Sequence, residues 1–243
     1  MTEIMFSIIT PTFNSESTIE STILSVLNQD EELYEYIIID GNSYDNTLSI
    51  VRKYEHKIRW ISEKDHGVYD ALNKGITYAR GKYLYFLGSG DLLCEGVLSK
   101  ISKELQPEYH LLYGYVFNKA TKKYYGGKFN KYTLAIKNIC HQAIFYKRDI
   151  FELIGLYDLK YSVLSDYALN LKCFGHKTLK IKYVPVCIAL YEGSGLSTTT
   201  YDYRFDKDKR KLILESLGFK AMVYAEVYES LKKNYLRLLK LRR

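Results

Sequence analysis

The chain has 243 residues, 47% hydrophobic and 15% aromatic, with a net charge of +7. That is apolar material for one large α/β domain, or for one domain plus an appendage, and it excludes an intrinsically disordered chain. The charge is local: the C-terminal KKNYLRLLKLRR holds six Lys/Arg and no acid, leaving +1 on the other 231 residues, so a general nucleic-acid binder is excluded.

Taken in order, residues 5–10 (MFSIIT), 34–40 (YEYIIID), 58–62 (IRWIS) and 82–87 (KYLYFL) are short apolar runs with the length and Ile/Tyr/Phe content of buried strands. Between them lie helical patterns. One follows Ser17 and Thr18, one follows Asp45, and one runs from Val68 to Ala79. Strands alternating with helices of about ten residues predict βαβ units and a parallel, doubly wound sheet. Beyond residue 105 the pattern predicts a hairpin in HLLYGYVFNKATKKYYGGKF and a strand in AIFYK. A helix over Ser165–Phe174 and a strand in LKIKYVPVCIALY follow, and from about 206 onward the chain reads as charged helix. The expected division is a domain over 1–205, with halves 1–105 and 106–205, and a basic helical extension over 206–243.

The start MTEIMFSIITPTF has no basic n-region, and no run approaches the roughly 20 apolar residues that span a bilayer. The four cysteines, Cys94, Cys140, Cys173 and Cys187, show no metal spacing and predict free thiols in a reducing compartment. A cytoplasmic protein is the expectation.

Open α/β sheets place ligands beyond the carboxyl ends of their strands. That directs attention to Pro11-Thr12-Phe13-Asn14, Asp40 to Ser43, Glu63 to Asp65, and Gly88 to Asp91. Asp40 ends an apolar strand and needs a partner, which a base or sugar N–H or O–H would provide. Asp45 reads as a helix cap. Asp70, Asn73 and Lys74 share one helix face, which by itself fits a solvated Asp–Lys pair worth roughly 0.3–0.5 kcal/mol. Ser165 reads as a cap and Asp166 as a first-turn acid, whose charged form the helix dipole favours.

The segments SIITPTFNSESTIESTILSVLNQ, IIIDGNSYDNT and EKDHGVYDALNKGITYARGKYLYFLGSGD resemble the family-2 glycosyltransferases of the GT-A fold, as do CHQAIFYKRDIFELIGLYD and LSDYALNLKCF. The resemblance implies an α/β, Rossmann-like, mostly parallel sheet flanked by helices. By position it implies that Pro11, Phe13, Asn14, Asp40, Asp65 and Ser89 line the nucleotide site, that Lys74 approaches the diphosphate, and that Asp166 is the general base. It implies roles for His141 and Gln142 at the acceptor or diphosphate, and a donor-closing loop in YEGSGLST. Asp91 would be the surviving acid of the family's Asp-x-Asp metal motif, here Ser89-Gly90-Asp91. The first acid is absent, so Mg²⁺ or Mn²⁺ would be held by Asp91, the donor's phosphates and water.

The expectation is an inverting, metal-dependent, hexosyltransferase-like enzyme that moves sugar from a UDP-sugar to a saccharide or lipid-linked oligosaccharide in surface polysaccharide assembly. The runner-up is a non-catalytic sugar-nucleotide-binding module, or a membrane-associated partner of another transferase. A dinucleotide dehydrogenase is excluded because TPTFNSES has no G-x-G-x-x-G. Tyr228, Leu231, Tyr235 and Leu238 form an apolar stripe among the C-terminal cations, so the last helix is expected to lie on the inner membrane face.

Overall fold

The computed structural model describes residues 4–193 and 200–241. The four early apolar runs become β1 (Phe6–Thr12), β2 (Tyr34–Asp40), β3 (Arg59–Ser62) and β4 (Tyr83–Phe86), parallel in the order β3-β2-β1-β4. A parallel strand is covered on both faces, so both rows of side chains must be apolar. Ile8, Ile9, Ile38, Ile39, Leu84 and Phe86 are accordingly all buried. The covering helices are α1 (Ile19–Leu27), α2 (Thr47–Arg52) and α3 (Val68–Tyr78). In α1 the buried residues Ile19, Thr22, Ile23 and Val26 follow the i, i+3, i+4, i+7 spacing of one helix face. Asn46, not Asp45, holds the cap position of α2, but Asp45 one residue earlier supplies the bond: its Oδ1 accepts from the Thr47 N–H at 2.9 Å.

Next in the chain come β5 (Leu92–Leu93), α4 (Val97–Ser102), β6 (Leu111–Asn118), β7 (Lys123–Tyr125) and α5 (Lys131–Ile136). They are followed by β8 (Ile144–Lys147), α6 (Ile150–Leu153), α7 (Ser165–Gly175) and β9 (Ile181–Tyr191). The predicted hairpin forms as the antiparallel pair β6–β7. β8 enters antiparallel between β4 and β6, while β9 runs parallel to β6 and carries the short β5 on its far side. One mixed α/β sheet thus joins both halves of the chain. Most of the loop YEGSGLST, residues 194–198, lies outside the described residues.

Ser165 does not cap α7. Leu164 holds the cap position, and the Ser165 hydroxyl, already inside the helix, is buried with no hydrogen-bond partner. A distant acid instead fixes the two residues that lead into the helix. Asp202 Oδ2 accepts from the Val163 and Leu164 N–H groups at 2.9 and 3.1 Å, and its Oδ1 accepts from the Phe205 N–H at 3.0 Å. That second bond opens α8 (Tyr203–Leu217), which packs on α7 with the Phe205 and Tyr167 rings stacked at 5.1 Å. The final helix, α9 (Phe219–Leu241), begins on the body with Ala221, Met222 and Ala225 buried, and its Tyr224 ring meets Tyr132 of α5. Every residue from Ser230 to Arg237 is exposed.

Candidate active site

A cleft of about 560 Å³ opens where the carboxyl ends of β1 and β4 meet the first turns of α3 and α7, the segment 138–142 and the end of β9. Pro11, Ser89, Asp91, His141, Gln142 and Asp166 all line it. Six of the residues singled out in the sequence, from segments up to 155 residues apart, are therefore brought together.

Asp91 is 5% exposed. It ends a tight turn in which its N–H donates to the Gly88 carbonyl at 3.0 Å. The α1 residue Thr22 clamps that turn, accepting from the Gly90 N–H and donating to the Asp91 carbonyl. A Cβ on Gly88 would stand 2.8 Å from Asp91 Oδ2, so only glycine leaves the carboxylate its place. Asp91 Oδ1 accepts from the Glu192 N–H at 3.0 Å, and Oδ2 accepts from Gln142 Nε2 at 2.5 Å. Burial lifts its pKa to about 6, against the pull of those two donors. Gln142 thus has a defined partner, the acid of the Ser89-Gly90-Asp91 motif, through a contact the sequence did not specify.

Asp166 is 7% exposed and held at both oxygens. The Tyr69 hydroxyl lies 2.8 Å from Oδ1 and also 2.6 Å from the Val163 carbonyl, and Asn138 Nδ2 donates to Oδ2 at 2.7 Å. Asn138 is itself fixed: Asn170 Nδ2 donates to its Oδ1 at 2.9 Å, and the Tyr146 hydroxyl donates to Asn170 Oδ1 at 2.7 Å. Sequence reading missed Tyr69, Asn138 and Asn170. Only Asn170 had a local signal, a polar residue four positions after Asp166 on an otherwise buried helix. His141 stacks on Phe86 with ring centroids 5.5 Å apart, and its Nδ1 is buried with no partner. Burial lowers its pKa, so the ring is neutral at pH 7.

The other candidates lie outside the cleft. Asp40 is fully buried, and the partners it needs come from the protein: the Ser43 hydroxyl (2.5 Å), the Ser43 N–H (3.0 Å) and the Ser62 hydroxyl (2.7 Å). Asn14 adopts a left-handed backbone (φ 47°) and braces the turn, donating its N–H to Ser43 Oγ and accepting from the Tyr44 N–H. Phe13 is 55% exposed and meets the still more exposed Tyr44 edge to face at 6.0 Å. Between Phe13 and Asp65 lies Gly41, where a Cβ would come within 2.6 Å of Asp65 Oδ2 and 3.4 Å of Phe13. Lys74 pairs with Glu63 at 3.1 Å and Asp70 at 3.6 Å and donates to the Lys64 carbonyl. The expected Asp–Lys pair on α3 is therefore present, and Lys74 does not line the cleft.

The donor set fits an ion that arrives with substrate. Among the described residues no three His, Cys, Asp or Glu side chains gather to hold a metal. Asp91 offers a buried carboxylate, each oxygen of which accepts one hydrogen bond among the described residues, in a cleft of about 560 Å³. Mg²⁺ commonly uses such sites, keeping waters and taking one or two carboxylates plus phosphates.

Residues 7–155 match the family model described as glycosyl transferase family 2. The PGL/p-HBAD biosynthesis glycosyltransferase of Mycobacterium bovis (strain BCG / Pasteur 1173P2) is 40% identical over 213 residues, covering 84% of this chain and 83% of that protein. The poly(ribitol-phosphate) beta-N-acetylglucosaminyltransferase TarP of Staphylococcus aureus (strain N315) is 27% identical over 254 residues, covering 94% and 75%. Among solved structures, S. aureus TarS 1-349 in complex with UDP-GlcNAc superposes with a TM-score of 0.69 at 19% identity, covering 88% of this chain and 66% of that one.

Proposed function

From the premise that the chain belongs to glycosyl transferase family 2 and has its GT-A fold, we propose that it moves a sugar, with inversion, from a UDP-activated donor to a hydroxyl of a saccharide or lipid-linked oligosaccharide. The observation that carries this reading is the pair Asp91 and Asp166 in one cleft, each carboxylate held by two neutral donors. The names of the relatives support a role in surface polysaccharide or glycolipid assembly.

In this reading Asp166 takes the proton of the acceptor hydroxyl as that oxygen attacks the anomeric carbon. The bond from that carbon to the diphosphate breaks, and the electron pair leaves with UDP. Tyr69 and Asn138 keep the carboxylate oriented, so no reorganisation is needed at the moment of proton transfer. A divalent ion, Mg²⁺ or Mn²⁺, held by Asp91 would neutralise charge growing on the leaving diphosphate. Among the described residues, none that lines the cleft is Lys or Arg, which leaves that neutralisation to the ion. Phe13 with Tyr44 offers a stacking surface for the base, Asp65 lies beside it, and Asp40 holds the Ser43 turn beneath. Pro11 and Ser89 line the near wall, Lys74 would approach the diphosphate only by leaving its pairs with Glu63 and Asp70, and Gln142 and His141 stand on the diphosphate or acceptor side.

The same reading places the protein on the inner face of the membrane through α9. No helix of the described residues is long and apolar enough to cross a membrane. On α9, Leu231 and Tyr235 are 64% and 63% exposed beside Lys232, Lys233 and Arg237. Apolar and cationic exposure on one helix suits an anionic interface.

A panel of radiolabelled nucleotide sugars tests the proposal. Turnover is expected with a UDP-sugar and lost in Asp166→Asn, which still binds UDP. Equal binding of UDP, GDP and ADP would overturn the donor assignment. UDP binding without turnover on any donor would make the protein a binding module.

A further inference from the structure

The forty residues from Tyr109 to Arg148 contain eight Lys/Arg and no acid, although the whole chain has 28 acids. Lys119 pairs with Glu192 and Lys147 with Asp149. Lys122, Lys123, Lys128, Lys131 and Lys137 are all exposed, and none has a carboxylate partner among the described residues. A lone run of such lysines would be an ordinary solvated face. Here its two ends meet two other features.

At one end Lys131 opens α5, its ammonium lies over the Tyr132 ring at 5.2 Å, and Tyr132 packs on Tyr224 of α9. The lysines therefore begin on a helix that packs against the start of α9, whose exposed cations Lys232, Lys233 and Arg237 follow about two to four turns further on. At the other end Lys137 lies 5.7 Å from the centre of the Tyr125 ring, which lines the cleft, and the Tyr125 hydroxyl donates to the carbonyl of Asn138, the residue that holds Asp166. Between the ends the charges are spread. Lys123 pairs with Asn118, while Gly126, two residues before Lys128, lies against Tyr115, roughly 10 Å away along the strand. Spread cations suit an extended anionic surface better than one small anion.

We infer that Lys122, Lys123, Lys128 and Lys131 form a second contact with an anionic lipid surface, beside α9, which sets the bilayer alongside the cleft. The inference rests on the membrane reading of α9 and adds an orientation to it. A helix alone leaves the body free to rotate about it. A second contact on the hairpin and α5 removes that freedom and brings a lipid-borne acceptor to Asp166 without a spanning segment. Lysines near an anionic leaflet add affinity that falls off within about a Debye length.

The test is sedimentation with vesicles of equal parts phosphatidylglycerol and phosphatidylcholine at low salt, using full-length chains. Changing Lys122, Lys123, Lys128 and Lys131 together to Gln is expected to weaken binding at least about tenfold, with wild-type melting temperature and UDP affinity. A second full-length variant, Leu231→Gln with Tyr235→Gln, is expected to weaken binding as well. If the lysine variant binds as the wild type does while the α9 variant does not, α9 acts alone and the orientation is wrong. Failure of the wild type to sediment overturns both membrane contacts. Wild-type binding to soluble oligo(glycerol phosphate) but not to vesicles would make the hairpin a soluble-anion site and overturn the inference. UDP binding, measured on every protein, keeps the transferase reading separate from all three outcomes.

Discussion

Replacing Asp91 by Asn should make the unliganded protein more stable at neutral pH while abolishing transfer. The carboxyl is 5% exposed, and burial lifts its pKa from 3.8 to about 6. At about 1.4 kcal/mol for each tenfold change in proton affinity, the ionised form costs the native state up to about 3 kcal/mol above pH 6. The sign follows from proton binding. Between these two values the native state holds more protons than the unfolded chain, so the contribution is fully present below about pH 4 and lost as pH rises through about 6. An amide cannot ionise, and Gln142 can turn its own amide so that Oε1 accepts from the new NH₂ group. Allowing for relaxation, Asp91→Asn should gain about 1–3 kcal/mol at pH 7.5, or roughly 3–10 °C in melting temperature for a chain of this size. Melting curves from pH 5 to 8 in chelator measure it: the gap between variant and wild type should widen through pH 6 and then level. A variant no more stable than wild type at pH 7.5, or a gap independent of pH, would refute the reasoning.

Asn138→Ala removes one of the two donors on Asp166 and should lower kcat about a hundredfold with UDP affinity unchanged; a change confined to KM for acceptor would contradict it. Gly88→Ala puts a methyl 2.8 Å from Asp91 Oδ2, so metal-stimulated turnover should fall at least about tenfold without loss of fold by circular dichroism. Phe13→Ala removes the exposed stacking ring and should weaken UDP about tenfold by calorimetry, since base–aromatic stacking contributes roughly 1–3 kcal/mol; unchanged affinity would place the base elsewhere.

The strands were legible because β1, β2 and β4 are apolar on both faces, a pattern few other elements share. Asp91 and Asp166 were legible because a lone acid after a Gly turn or in a first helical turn leaves a local mark. Their holders left none. Tyr69 is 97 residues from Asp166, and Gln142 is 51 from Asp91. The partners of Asp40 escaped for a related reason, since Ser62 reaches it only because β3 sits beside β2 with those two residues in register. Ser165 was misread as a cap because a serine before a helical run has the same sequence signature whether it stands outside the helix or one residue inside it. On α3 the spacing correctly gave the Asp70–Lys74 pair, but Glu63, which bonds Lys74 more closely, comes from the preceding loop.

The reach of Asp202 decides which part of this chain can be exchanged in the course of descent. One buried carboxylate closes the starts of α7 and α8 together, the Phe205 ring covers Tyr167, and Asp208 accepts from the Tyr161 hydroxyl. The helix bearing Asp166 and the one after it are thus a single inheritable unit, although they lie beyond residues 7–155, which match the family model. Gly218 follows, and after it α9 loses its contacts with the body within a few turns. A lineage could replace α9 with another targeting device at little cost to catalysis, whereas a chain that lost α8 would expose the start of α7 and release the base.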